Sequence, residues 1–349
     1  MIRVYSIHPM TTDVDSLLNY LRLPRNLDLV WDDKAPEILF VSEWIYYKKE
    51  AFEQFRELYD IAKIKILLAF EAISPDWNLF DYAIGFDNHL HYGDRFIRIM
   101  SPFDMYHRFV TKCKNEIDSV EKARMELSRK TSFCNFLYSN PNAHPVRDKL
   151  FYTLSQYKHV DSLGRHLNNV EIPGTGFEGH AAECVPMKRS YKFSIACENA
   201  VYPGYTSEKI LTSLEAHTIP IYFGNPDICE DINKAAFINA NDFETIESLV
   251  DYIREVDAND DLWCKYIATP WLTPEQEYLH KERTEVYQNK LRELLSGDVQ
   301  GKERVAIGTH QTHYRQHFFE GTYHCDYVVP KKSGKYYIKL ILRTLHLMK

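Results

Sequence analysis

The sequence predicts a two-domain α/β protein. Short β-prone runs alternate with segments of helical periodicity from the first residues onward, which is the pattern of layered α/β domains. The chain has 349 residues, more than one hydrophobic core usually serves. A strand–loop–helix–strand unit at residues 191–226 has the form of part of an open α/β sheet, a structure that binds ligands beyond the carboxyl ends of its strands.

Composition narrows the function classes. A hydrophobic content of 45% and a charged content of 26% are those of an ordinary globular chain. The formal net charge of −7 argues against a general nucleic-acid binder, so no nucleic-acid partner is predicted. A local basic site is still compatible with this charge, and an anionic diphosphate would need one.

The cysteine spacing and the amino-terminal residues bear on the cellular compartment of the protein. The seven cysteines are widely spaced and form no Cys-x-x-Cys pair, which disfavours zinc ribbons and dense disulfide frameworks. Residues 1–7 have the pattern of a strand rather than a secretory leader. No apolar run reaches the roughly 18 residues of a membrane span. We therefore expect a cytoplasmic protein without a Golgi-type anchor.

The first predicted domain covers residues 1–125. Its predicted strands are 2–7, 37–41, 64–70, 81–86 and 96–99. Apolar side chains at helical spacing predict a helix over 49–63. The strand at 64–70 delivers Glu71 at its carboxyl end, where a carboxylate could serve as a base or could be an ordinary strand-end charge.

The second predicted domain covers residues 131–300, after a charged helical passage near 117–130. Its predicted elements outside the central unit are a strand at 133–138, a helix with Arg147 in its first turn, a strand at 236–239, and helices at 246–256 and 274–295. Thr273, Pro274 and Gln276 together form the capping-box signature of a helix start. The remaining residues, 301–349, are predicted to form a separate carboxyl-terminal region.

The central unit contains a predicted phosphate site. A strand over 191–197 is followed by a turn at Pro203-Gly204, a helix opening at Ser207 and a second strand over 219–224. Unpaired N–H groups and the helix dipole favour an anion at that helix start. Lys209 adds a mobile cation in the first turn, and Glu208 could bind a ribose diol. The alternative is a solvated Glu-Lys pair on an exposed helix.

Four pieces of this unit carry a resemblance to a known family: Tyr191-Lys192-Phe193, Cys197-Glu198-Asn199, Tyr205-Thr206-Ser207-Glu208-Lys209 and Ile219 to Gly224. Together they resemble the donor-binding motif of the α1,3-fucosyltransferases of glycosyltransferase family ten, bacterial type. Cys197 stands where the family has Phe, and Ser207 where it has Thr. The first replacement stays apolar and the second keeps the hydroxyl.

Two further stretches extend the resemblance. Residues 78–87 are similar to the family run Asn-x-Phe-Asp-Tyr-Ala-Ile-Gly-Phe-Asp, and Glu71 lies upstream of it, where the family has its proposed catalytic glutamate. Residues 139–147 resemble Ser-Asn-Pro-Asn-x-Pro-Ile-Arg with one residue inserted. Arg147 then matches the family arginine that contacts the donor diphosphate, although a surface arginine is the alternative from the residues alone.

The resemblance implies a fold and an activity. The fold would be GT-B, with two Rossmann-like domains that face each other across a cleft. Glu71 would be the base of an inverting transfer of fucose from GDP-fucose to the 3-hydroxyl of N-acetylglucosamine or glucose in an oligosaccharide acceptor, as in LacNAc, Lewis antigens or lipopolysaccharide glycans. The donor-binding residues would be Arg147, Asn199, Tyr205, Glu208 and Lys209.

The same resemblance bears on cofactors and on rival functions. Charge-assisted contacts from Arg147 and Lys209 would replace a metal ion, so no cofactor is expected to be essential, although a divalent metal could stimulate the reaction. One rival is a GT-B enzyme that uses a different nucleotide sugar. The other is a catalytically silent glycan- or nucleotide-binding protein.

Three features lie outside this function. Residues 174–179 match Gly-x-Gly-x-x-Gly but lack the flanking strand and helix of a dinucleotide site, so we predict a loop. His313 and His317 have ligand spacing in a region without a clear helical pattern, and no metal site is predicted. The tail 327–349 has six Lys/Arg and no acid, which favours peripheral contact with the inner membrane over packing on the protein itself.

Overall fold

The computed structural model describes residues 1–100, 109, 115–171, 183–296 and 308–320. Within those residues, every strand belongs to one of two parallel sheets, the first between residues 2 and 98 and the second between residues 132 and 239. Parallel strands need helical crossovers, which cover both faces of each sheet and explain the apolar strand sequences. The predicted α/β class is confirmed.

The first sheet has six strands in the order β2-β1-β3-β4-β5-β6. They are β1 (Ile2–Ile7), β2 (Leu29–Trp31), β3 (Ile38–Ser42), β4 (Ile64–Leu68), β5 (Tyr82–Gly85) and β6 (Phe96–Arg98), with helices α1 (Val14–Tyr20) and α2 (Lys49–Leu58) between them. The strand order reverses between β1 and β3, because the chain adds β2 on one side and then returns to the other. Such a reversal opens a crevice at the carboxyl ends of the two strands.

The second sheet has five strands in the order β11-β10-β9-β7-β8. They are β7 (Ser132–Phe136), β8 (Val160–Ser162), β9 (Tyr191–Cys197), β10 (Ile219–Phe223) and β11 (Ile238–Asn239). Its helices are α3 (Val120–Leu127), α4 (Val146–Ser155), α5 (Cys184–Lys188), α6 (Glu208–Glu215), α7 (Ile228–Asp231), α8 (Ile246–Ala258) and α9 (Asp260–Ala268). Here the order reverses between β7 and β9, so the second crevice lies at the carboxyl ends of those strands.

The last two described helices return to the first sheet. Helix α10 (Pro274–Leu294) begins at the predicted capping box of Thr273 and Gln276, and its Tyr287 hydroxyl donates to the carbonyl oxygen of Leu21 (2.8 Å). Helix α11 (Thr309–Glu320) packs its final aromatic pair against α2. The predicted lack of helical structure near His313 is wrong. The contacts between the end of α11 and α2 stabilise a helix that has no continuous apolar face. The domain boundaries at residues 125, 131 and 300 remain predictions.

A buried ionic contact joins the two halves. Asp231, at the end of α7, is fully buried and accepts from Arg98 of β6 (2.5 and 3.0 Å) and from Arg283 of α10 (2.6 Å). Burial would raise the pKa of Asp231, but Arg98 and Arg283 hold that pKa below its ordinary value. Breaking such a contact would leave buried charges without a counter-ion, so it fixes how the two sheets dock.

Candidate active site

The carboxyl edges of the two sheets meet at the loop of residues 202–205, which follows β9. The Tyr202 hydroxyl donates to Asp87 Oδ2 (2.6 Å) and lies 2.7 Å from Ser74 Oγ, both on loops of the first sheet. Gly204 has a φ of +79°, and a Cβ there would lie 2.1 Å from the carbonyl oxygen of Phe86. Only glycine permits this close backbone approach. The candidate site therefore draws residues from both sheets.

A buried carboxylate, that of Glu198, accepts hydrogen bonds from residues at the start of α6. Glu198 is fully buried at the end of β9 and accepts from the Ser207 N–H (2.8 Å) and the Ser207 hydroxyl (2.6 Å). Lys209 Nζ donates to the same carboxylate (3.3 Å) and to Ser207 Oγ (2.8 Å). Burial raises the pKa of Glu198, and the Lys209 charge opposes that shift. Glu198 is not among the predicted site residues, although it is the central residue of the Cys197-Glu198-Asn199 motif.

The predicted Glu208–Lys209 pair is not a solvated surface pair. Lys209 is 15% exposed, and its ammonium lies 3.5 Å from Glu208. Burial lowers the pKa of Lys209, but Glu208, Glu198 and Glu71 outweigh this effect and raise the pKa above its ordinary value. For Glu208, burial raises the pKa, but Lys209, the Glu208 backbone N–H, Lys188 and Ser207 together lower it below its ordinary value. Both side chains therefore carry their charges at neutral pH.

Arg147 is almost completely buried at the first turn of α4. Its guanidinium stacks over the Tyr138 ring (4.7 Å), and it donates to the Asn140 carbonyl oxygen (2.9 Å) and to Asp148 Oδ1 (3.2 Å). The remaining terminal nitrogen, Nη1, is buried and has no hydrogen-bond partner. A buried N–H without an acceptor costs free energy, which an anionic ligand would recover. Arg147 is therefore not a surface arginine, and its Nη1 has a donor available for an anionic ligand.

Asn199 connects the two cation-bearing segments. It is half-buried just beyond β9, and its carbonyl oxygen accepts from the His144 N–H (2.8 Å). That bond ties the end of β9 to the loop before Arg147, the loop that carries the extra residue. Burial raises the pKa of the Cys197 thiol to about 12, while the charges of Arg147 and Lys209 both act to lower it. Arg147 lies in the first turn of the helix after β7, and Lys209 in the first turn of the helix after β9, so the two cations flank the crevice between these strands.

Glu71 faces this cation pair from the other sheet. It is exposed at the turn after β4, and its Oε2 accepts from the Tyr205 hydroxyl (2.9 Å). Tyr205 itself is 3% exposed, and its pKa is raised far above the ordinary value by burial and by Glu71. The phenol therefore stays neutral and donates to Glu71. Tyr205, predicted as a donor-binding residue, contacts the candidate base.

Further sequence predictions concern metal ligands, a membrane span, the glycine-rich loop and the basic tail. Among the described residues, no group of three or more His, Cys, Asp or Glu side chains is arranged to hold a metal ion. No helix in the described ranges is long and apolar enough to span a membrane. The glycine-rich loop 174–179 and the basic tail 327–349 lie outside the described residues.

Comparison with known proteins supplies the family. Residues 127–291 match the model of the glycosyltransferase family 10 (fucosyltransferase) carboxyl-terminal region, and residues 12–106 match that of the α-(1,3)-fucosyltransferase FucT amino-terminal domain. An α-(1,3)-fucosyltransferase FucT of Helicobacter pylori is 31% identical over 209 residues, which are 52% of this chain and 41% of that protein. A GDP-fucose protein O-fucosyltransferase 3 of Xenopus laevis is 31% identical over 162 residues, 45% of this chain and 34% of that protein.

The fold comparison agrees. A crystal structure of an α1,3-fucosyltransferase with GDP-fucose superposes with a TM-score of 0.62 at 23% identity, covering 85% of this chain and 91% of that one. This confirms the GT-B architecture of two Rossmann-like units. The chain spans less than half the length of the two curated relatives it matches. The two family models together cover most of the chain, in the expected order, so the chain belongs to the fucosyltransferases of glycosyltransferase family ten.

Proposed function

We propose that the chain is an inverting fucosyltransferase that uses GDP-fucose. One observation carries the proposal: a carboxylate from the first sheet, Glu71, faces a crevice of the second sheet flanked by Arg147 and Lys209. These are a base and two cations, which transfer from a nucleotide diphosphate sugar requires. The similarity to a GDP-fucose protein O-fucosyltransferase and to an α1,3-fucosyltransferase solved with GDP-fucose supports GDP-fucose as the donor.

On the donor side, the chain's residues bind the leaving group. The unpartnered Nη1 of Arg147 and the ammonium of Lys209 would contact the diphosphate, whose negative charge grows as the sugar bond breaks. Glu208, ionised beside Lys209, would accept from ribose hydroxyls, and Asn199 would contact the donor at the end of β9. Because two protein cations balance the diphosphate, transfer without an essential metal ion is expected.

On the acceptor side, Glu71 would take the proton of the attacking hydroxyl as the new bond to the sugar carbon forms. The Tyr205 hydroxyl holds one oxygen of Glu71 and leaves the other for the acceptor. Base and leaving-group cations come from opposite sheets, so attack from the face opposite the diphosphate inverts the anomeric carbon.

For the acceptor, we propose the 3-hydroxyl of N-acetylglucosamine or glucose in a LacNAc, Lewis-type or lipopolysaccharide glycan. The similarity of this chain to the α-(1,3)-fucosyltransferase FucT of Helicobacter pylori supports this choice. A protein acceptor is the second candidate, since a protein O-fucosyltransferase is equally identical over a shorter segment. The two acceptors differ in what lies beyond the attacked hydroxyl, and neither changes the role of Glu71.

One experiment separates these possibilities. The purified chain is incubated with EDTA and with GDP-fucose, GDP-mannose or UDP-galactose, and each donor is offered LacNAc, lactose and a serine-containing peptide. We expect transfer from GDP-fucose alone to the disaccharides, with an α1,3 linkage by NMR. Transfer to the peptide alone would replace the glycan acceptor, use of another donor would replace GDP-fucose, and binding without transfer or hydrolysis would indicate a silent binding protein.

We also propose that the tail 327–349 attaches the enzyme to anionic membrane surfaces. The support is its charge, six basic residues and no acid, together with an apolar stripe in the sequence. Flotation with vesicles containing phosphatidylglycerol tests this, with a chain ending at residue 326 as the control. Equal flotation of both chains would contradict the proposal.

A further inference from the structure

A second carboxyl group lies at the catalytic edge of the first sheet and has no role in the reaction described above. Glu43 directly follows β3, in the short 3-10 turn Glu43–Tyr46, and is only 5% exposed. The order of the first sheet reverses between β1 and β3, so Glu43 stands at its crevice. This is the place in an open α/β sheet where functional side chains gather.

Glu43 is connected to the turn that carries the candidate base. Ser42, the last residue of β3, pairs with Leu68, the last residue of β4. Glu43 and Glu71 therefore follow the two strands at the same edge of the sheet. Glu43 Oε2 accepts from the N–H of Phe70, the residue before Glu71 (3.4 Å). The Tyr47 side chain, from the turn after β3, lies near enough to the same carboxyl group to act on its pKa.

The groups around Glu43 favour a proton on it. Burial raises its pKa to about 7, the backbone N–H of Phe70 and the Tyr47 hydroxyl oppose that shift, and the charge of Glu71 adds to it. Tyr47 is neutral, because burial and the carboxylates of Glu43 and Glu71 raise its pKa far above the ordinary value. Glu71 is thus a charged neighbour that favours the protonated form of Glu43.

We propose that Glu43 is a positioning residue for the base: its carboxyl group fixes the turn before Glu71, and its ionisation drives the acceptor proton onto Glu71. The inference rests on the proposed function of Glu71. When Glu43 is protonated, the pair carries one negative charge, on Glu71. When Glu43 is ionised, the two charges repel each other, and transfer of the acceptor proton to Glu71 relieves that repulsion.

Rates over a range of pH test this role. The variant Glu43→Gln keeps an oxygen for the Phe70 N–H and removes the titration, while Glu37→Gln, at the opposite end of β3, is the matched control. We expect turnover of the unmodified chain and of Glu37→Gln to rise through an inflection near pH 7. Glu43→Gln should lack the inflection and be about threefold or more slower at pH 8, with unchanged affinity for GDP. Superimposable profiles of Glu43→Gln and the unmodified chain would overturn the proposal.

A second readout needs no enzyme activity. The folded chain keeps a proton on Glu43 between the ordinary pKa of 4.5 and about 7, where the unfolded chain has released it. The melting temperature of the unmodified chain should therefore fall relative to Glu43→Gln as pH rises through that window. Against a Glu71→Gln background, the same difference should move to lower pH, because the neighbouring charge is gone.

The two experiments distinguish failure of this proposal from failure of the proposed function. An unmodified chain that transfers no fucose would contradict the proposed function. The melting curves would still decide whether the charge of Glu71 acts on the ionisation of Glu43. A melting difference that does not move in the Glu71→Gln background would overturn the coupling, even if transfer occurs.

Discussion

The carboxyl edges of the two sheets are built differently. At the edge of the second sheet, charges are balanced within the sheet itself: Lys209 is held by Glu198 and Glu208. At the edge of the first sheet, the exposed carboxylate of Glu71 and the buried carboxylate of Asp87 accept from hydroxyls of the other half, Tyr205 and Tyr202. The proposed donor side is therefore organised by its own residues, and the proposed base is positioned by a hydroxyl of the opposite sheet.

This difference separates two properties of the proposed reaction, donor binding and turnover. Donor binding should depend mainly on residues of the second sheet, because the hydrogen-bond and ion-pair partners of Lys209 and Arg147 lie on that sheet. Turnover should depend on docking as well, because the loop 202–205 reaches Glu71 only when the two edges meet.

The largest effect is expected when docking itself is broken. Asp231→Asn would leave Arg98 and Arg283 without their buried counter-charge, at a cost of about 3–5 kcal/mol in unfolding free energy. Urea unfolding measures this loss, and Asp251→Asn, an exposed carboxylate on α8, is the control. An unchanged urea midpoint for Asp231→Asn would show that the contact does not hold the two halves together.

Donor affinity should be most sensitive to Arg147. Arg147→Ala removes the buried guanidinium with the unpartnered Nη1, and we expect binding of GDP to weaken about 100-fold, or about 2.7 kcal/mol. Calorimetry with GDP measures the affinity, and Arg129→Ala, an exposed arginine beyond α3, should bind GDP normally. Normal GDP binding by Arg147→Ala would remove Arg147 from the donor site.

A smaller effect distinguishes the two sides at Tyr205. Tyr205→Phe removes the hydroxyl that holds Glu71, and we expect turnover to fall about tenfold with GDP affinity within about threefold. The control is Tyr152→Phe, a tyrosine that is 45% exposed on α4. A loss of affinity as large as the loss of turnover would return Tyr205 to the donor side, as the family resemblance implies.

Much of the second sheet could be predicted from the sequence. The strand at 191–197, the opening of α6 after Ser207 and the capping box at Thr273 have the predicted bounds, because strand pattern, turn and cap signals agree locally. The effect of the residue inserted before Arg147 could not be predicted. It depends on the bond from the His144 N–H to Asn199, which joins segments distant in sequence.

Most strands of the first sheet could also be predicted, but the contacts at its carboxyl edge could not, for a physical reason. The features that single out Glu43 are its burial and its contact with Phe70, and both depend on the pairing of β3 with β4. Tyr205 meets Glu71 although 134 positions separate them in the chain. Contacts of this kind arise from docking and leave no periodicity or motif in the sequence.

The most direct test of the account compares donor binding and turnover in one variant, Glu71→Gln. This change keeps the shape of the side chain and an oxygen for Tyr205, and it removes the base. We expect calorimetry to give a GDP-fucose affinity within about twofold of the unmodified chain, with turnover lower by about 100-fold to 10,000-fold. Full turnover by Glu71→Gln, or a parallel loss of donor binding, would contradict the division of the site into a self-contained donor side and a base from the opposite sheet.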